Sequence, residues 1–203
     1  IFNLHSEDPL TLQKNFKKVG DTMAWVSKET KANLHGVAAS FQNVIGVADA
    51  YGVSLDAIAV LTAKLGKAGI TEGRSGTFQR NFLDNIFSPT TEKAKNIFKD
   101  LKIDFFDVSK DDPVKYIDDF LSRLRQLDAK SQEAAANGIF NDRGIKVFRR
   151  LINESDSLAE AVSKVADKSE DALGKVSDNV IKAVSVEFKE AFNALDDSLT
   201  RAF

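Results

Sequence analysis

Apolar residues recur at three- and four-residue steps along most of the chain, and the pattern resets wherever an Asp, Asn, Ser or Thr precedes a new run. Asp8-Pro9 reads as an N-cap with a first-turn proline, and Leu10, Leu12, Phe16 and Val19 supply an apolar face that stops at Gly20, predicting a short first helix. Asp21 caps a second helix to about Thr30, with Trp25 and Val26 inward. Asn33 caps a third that carries Val37, Phe41, Val44, Ile45 and Ala48 and ends at Tyr51-Gly52. Ser54 opens a fourth, whose stripe Leu55, Ile58, Leu61 and Leu65 closes at Gly66 or Gly69 in a left-handed turn.

The stretch "KAGITEGRSGTFQRNFL" comes next, with Thr71 as N-cap and Phe78, Phe82, Leu83, Ile86 and Phe87 as the inward face of a fifth helix that stops at Ser88-Pro89. A sixth starts at Thr91 and turns Ala94, Ile97, Phe98 and Leu101 inward, before "KIDFFDVSKDD" breaks the period and puts Phe105 and Phe106 in a short extended piece. Asp112-Pro113 repeats the cap-plus-proline signal and starts a seventh helix that runs to about Asp128. Two short helical pieces, "SQEAAANGIF" and "RGIKVFRRLI", complete a bundle over residues 1–152. Twelve of the 15 phenylalanines fall before Ile152, so the aromatic core is expected there.

From Ser155 onward proline is absent and Gly174 is the sole glycine. Leu158, Val162, Val165, Leu173, Val176, Val180, Val184, Phe188, Phe192, Leu195, Leu199 and Phe203 recur in one stripe. With Ser169 as a skipped position, the 45 residues from Leu158 to Phe203 make 12 steps of 3.75. That period exceeds the heptad value of about 3.5 and favours a straight or slightly right-handed association. The fold class predicted is therefore all-α: a bundle of short helices followed by one long amphipathic C-terminal helix over 155–203, an oligomerisation element. A helix that folds back in two pieces at Gly174 is the other reading.

Composition narrows the chemistry. The 203 residues carry a net charge of -2 with 43% hydrophobic and 29% charged residues, the balance of a chain with a packed core. The opening at Ile1 rather than Met suits a processed product or part of something longer. No cysteine is present, which excludes disulfides, thiolate metal sites and cysteine nucleophiles. No apolar run approaches the roughly 20 residues of a bilayer-spanning helix, so the sequence reads as soluble.

Candidate chemical motifs are weak. Gly69, Gly73 and Gly76 resemble a phosphate-cradling loop, but no lysine follows the last glycine and no strand precedes the first, so they read as an elbow between helices. His5 and His35 lie far apart, and Asp104, Asp107, Asp111 and Asp112 lack the spacing of a calcium loop. "RGIKVFRR" puts Arg143, Lys146 and Arg150 on one helical face with Arg149 beside it, enough for a local anion patch, although salt bridges or a solvated face account for it more simply. Catalytic, metal and cofactor sites are accordingly not expected, and neither is specific nucleic-acid binding.

Residues 51–152 resemble the core region of tail tape measure proteins from long-tailed bacteriophages and prophages. The likeness rests on Gly52 to Ser54 at a helix start, the Ala68-Gly69-Ile70 turn and the Gly76-Thr77-x-x-Arg80 helix. Pro89-Thr90, Leu101 to Asp107, and Ile139-Phe140 with Arg143 extend it. Ser75 stands where alanine is usual, and Asn141 where glycine is usual. Gly73 lies within the same stretch and joins these as a structural turn position. The resemblance implies a non-enzymatic virion protein of the tail lumen or tail tip, assembled in the host cytoplasm, that helps set tail length. It further implies trimers or hexamers, formed here through 155–203, contacts with other tail proteins, and a part in genome ejection. The alternative is a membrane-active helical module delivered to the host envelope, with the host membrane as partner.

Overall fold

Short-range capping bonds mark most of the helix starts in the structure, a computed structural model that describes residues 8–103, 112–154, 156–172 and 174. Helix α1 (Pro9–Thr30) opens on Asp8, whose carboxylate accepts from the Thr11 amide at 2.9 Å. Asn33 and Ser54 do the same for α2 (Leu34–Ala50) and α3 (Leu55–Lys67), accepting from Gly36 at 2.7 Å and Ala57 at 3.2 Å. Thr91 caps α5 (Glu92–Asp100) and Asp112 caps α6 (Pro113–Arg125). Each bond satisfies an amide that the first turn of a helix leaves without an internal partner.

Three details differ from the sequence expectation. The separate helices expected on either side of Gly20 are one continuous α1, because Val19 through Val26 are buried as a block and a glycine inside a helix costs only about 1 kcal/mol. Thr71 occupies the N-cap position of α4 (Glu72–Phe87) without a side-chain bond to the helix, and Glu72 adopts φ 56. The seventh helix expected from the sequence ends at Arg125, and Asp128 instead caps α7 (Ala129–Ile139), accepting from Lys130 and Ser131 at 3.0 and 3.1 Å. At the next junction Asn141 leads into α8 (Gly144–Leu151), its side-chain oxygen accepting from Arg143 and Gly144 at 3.1 and 2.9 Å.

The long C-terminal helix is also corrected in the described part. Residues 158–169 form two short helices, α9 (Leu158–Ser163) and α10 (Val165–Ser169), interrupted at Lys164. After them Glu170 leaves the helical region and Asp171 adopts φ 50. The physical reason is that Leu158 and Val165, at 3% and 0% exposure, are taken into the core instead of continuing a free stripe. Leu173 and the stripe from Val176 on lie outside the described residues, as do His5, Asp104, Asp107, Asp111 and the extended piece expected at Phe105-Phe106.

Two pairs of parallel helices form the first half of the bundle. α1 and α3 run together, with Lys18 in the middle of α1 paired to Asp56 at the start of α3 at 3.1 Å, and Glu29 to Lys67 near the ends of both. α2 and α4 likewise match Gly36 to Glu72 and Tyr51 to Phe87, whose rings stack at 4.8 Å. The second half supplies an aromatic cluster around Phe140, which lies 5.4 Å from Phe82, 6.0 Å from Phe120 and 5.3 Å from Phe148. Phe98 joins through Phe120 at 5.4 Å. Such ring pairs add about 0.5–1.5 kcal/mol each beyond the apolar area they bury. No strand occurs among the described residues.

Candidate functional site

The glycines of "KAGITEGRSGTFQRNFL" do different things. Gly69, at φ 78, closes α3: its amide reaches Gly66 O at 2.9 Å and the Ile70 amide reaches Leu65 O at 2.9 Å, which decides between the two glycines considered as terminators. Gly52, at φ 71, does the same after α2, with Val53 donating to Ala48 O at 2.8 Å. Gly76 lies where α4 crosses α2, and a Cβ there would overlap the Ser40 carbonyl oxygen. At Gly73 an added Cβ would meet the end of Asn43 at 2.9 Å. This close approach is fastened by polar bonds: Ser40 Oγ donates to Glu72 O, and Asn43 Nδ2 donates to Gly73 O at 2.9 Å. Thr77 Oγ1 turns back on Gly73 O at 3.0 Å. The carbonyls around these glycines are thus engaged within the helix crossing, and Glu72 would repel an anion brought to this turn.

Behind the crossing sits a buried polar triad. Gln79 Nε2 donates to Thr62 Oγ1 at 2.9 Å and to Ser75 Oγ at 3.1 Å, all three side chains being buried. Ser75 therefore uses its hydroxyl in a bond that alanine would lack.

The remaining motif positions are dispersed. Ser54 is the cap of α3, Pro89 is buried after α4, and Phe140 is the hub of the ring cluster. Arg80 and Arg143 are exposed on α4 and at the start of α8. Within the anion patch expected on "RGIKVFRR", Arg149 and Arg150 are taken up by Glu133 and Glu154, at 2.5 and 2.9 Å. Lys146 instead lies over the Phe78 ring at 5.2 Å, with Arg74 5.8 Å from the same ring. His35 is exposed in the first turn of α2, and Asp112 serves as a cap. Among the described residues no group of three or more His, Asp or Glu can hold a metal ion.

Two residues that sequence reasoning missed lie on α6. Asp118 accepts from the Leu158 and Ala159 amides at 2.7 and 2.8 Å, at the start of α9. Arg125 donates to the Leu151 and Ile152 carbonyls, both at 2.9 Å, at the end of α8. Anion at the helix start and cation at the helix end are the arrangement that helix dipoles favour. Their seven-residue spacing on one helix was the available signal, but their targets lie 26 to 41 residues away in sequence.

Titration behaviour follows the same local bonds. Asp128 is held below the usual carboxylate range by its bonds to Ser131, and Glu133 by its bond to Arg149. The Tyr51 hydroxyl is pushed up by burial and by the charge of Asp84, to which it donates at 3.3 Å.

Comparison with known proteins gives one result: a family model described as a phage-related minor tail protein matches residues 7–141. No curated protein and no solved structure matches the chain. The matched span covers α1 through α7 and ends just before α8, so it contains the glycine crossing and most of the aromatic cluster. Among the described residues no helix is long and apolar enough to cross a membrane.

Proposed function

The chain belongs to the phage-related minor tail protein family, and from that premise we propose that it is the helical core module of a tail tape measure protein. In this reading the bundle is a folded, non-catalytic unit of the virion tail, in the lumen or at the tip, and the helical sequence attached to it sets length. One observation carries the proposal: the family match coincides with a region whose most distinctive motif, the Gly-Thr-x-x-Arg stretch, opens on Gly76, where α4 crosses α2 too closely for a Cβ. A motif used for packing supports an architectural part over a catalytic one.

Self-association belongs to the same proposal, with its site sharpened. Leu158 and Val165 are committed to the core, so the positions left for pairing with other copies, as trimers or hexamers, are those from Val176 to Phe203. In the phage or prophage that encodes the protein, insertion of helical sequence beyond Gly174 should lengthen the tail by about 1.5 Å per residue. Tails of unchanged length in electron micrographs would overturn the tape measure role while leaving the family assignment intact.

A further inference from the structure

The basic groups of α4 and α8 divide into two sets. Arg149 and Arg150 are paired with carboxylates, as are Lys17, Lys18, Lys64, Lys67, Lys95 and Lys164 elsewhere. Arg74, Arg143 and Lys146, like Arg80 further along α4, are not paired with a carboxylate among the described residues. They are also gathered together. Arg74 and Lys146 come from different helices and converge on the single ring of Phe78, while Arg143 lies one turn before Lys146 on the same face of α8.

Two cations over one ring repel each other, and the ring's quadrupole offsets only part of that repulsion. We propose that Arg74, Arg143 and Lys146 form an anion clamp, with Phe78 as its floor, that docks a short acidic segment of another protein. Phe78 is 6% exposed and fixes the two cationic stems over a rigid surface, which lowers the entropy lost on binding. An acidic segment suits the site better than a nucleic acid. The exposed Glu72 and Asp142 lie two residues before Arg74 and one before Arg143, so no continuous basic track carries a phosphate backbone onward.

The C-terminal segment stays unchanged throughout the test, which keeps the clamp separate from self-association. The full chain is titrated with a fluorescent decaglutamate peptide at about 20 mM and about 150 mM salt, which contrast weak with physiological screening. Binding should weaken with salt and fall by about tenfold or more in the Arg74→Glu, Lys146→Glu double variant. The control double variant Lys115→Glu, Lys130→Glu makes the same change in net charge at exposed positions near two helix starts, and should bind as the parent does. Helical circular dichroism checks folding, and Arg74→Gln with Lys146→Gln replaces the reversal if it fails to fold. Absence of peptide binding, equal loss in the control, or tighter binding of an oligothymidylate of equal charge would each overturn the proposal.

Discussion

Gly76 is the position at which one methyl group would move a helix. The obstacle to a Cβ is backbone, the Ser40 carbonyl, which cannot rotate away; at Gly73 it is the amide end of Asn43, which can. Gly76→Ala should therefore destabilise the protein by about 3 kcal/mol, as overpacking does. Gly73→Ala should stay within about 1 kcal/mol of the parent, because the better helix propensity of alanine offsets the displaced side chain. Urea denaturation of both variants checks the contrast, and equal midpoints would remove the close crossing as the reason for the glycine. A second residue-scale prediction concerns Asp128. Its folded carboxyl titrates below its unfolded value, so the stabilisation is complete above about pH 4 and is lost as pH falls through the lower folded value. Asp128→Asn keeps a capping oxygen that does not titrate; the stability gap between parent and variant should narrow from pH 7 to pH 3. A gap independent of pH would show that the charge of Asp128 contributes nothing. Both sites illustrate what sequence discloses. The three-residue spacing of Gly73 and Gly76 identifies a close approach, but nothing local names Ser40 as the surface approached.

At the scale of elements, signals within one turn were the legible ones. Asp8, Asn33, Ser54, Thr91 and Asp112 act where they stand, and the helices they start were readable from residue type and spacing. Continuity of α1 through Gly20 was hidden because burial of the surrounding block, a tertiary property, outweighs the local propensity to stop. The break-up of the stripe at its start, over 158–169, was hidden for a related reason: an apolar position at helical spacing serves a partner helix and a core equally well. The anchor of α9 is α6. Asp118 holds the first amides of α9 and Arg125 the last carbonyls of α8, so the connection between them is gripped from one helix at two points. Asp118→Ala with Arg125→Ala should raise amide exchange across residues 158–169 by about tenfold or more, while α2 and α4 keep their protection. Uniform change across the chain, or none, would place the anchorage in Leu158 and Val165 alone.

For the whole molecule, the proposed self-association turns on what the core leaves uncovered. The described residues expose only one large hydrophobic side chain, Leu10 at 76%, so the bundle offers little apolar surface for pairing. Sedimentation of the full chain should show a trimer or hexamer, and Val184→Asp with Phe188→Asp should return it to monomer with its helical core intact. A monomeric parent chain would end the assignment of Val176 to Phe203 to self-association. The helical class was readable because nearly every helix carries its own apolar face. The anion clamp was half readable: "RGIKVFRR" announced a basic cluster, but only the packing of α8 beside α4 separates the cations already paired from those left facing outward.

The ion pair between Lys17 and Asp171, at 3.2 Å, brings the first half of α1 next to the point where the chain leaves α10. The middle of the first helix and the end of the last described one therefore lie side by side, and the described chain closes back on itself. A pull on the two ends would first part this ion pair and then peel α10 and α9 away one contact at a time. The α2–α4 crossing, inside the loop, would carry no load until that peeling was complete. A force applied at Asp171 against Lys17 would thus reach α10 and α9 before the glycine-fastened centre.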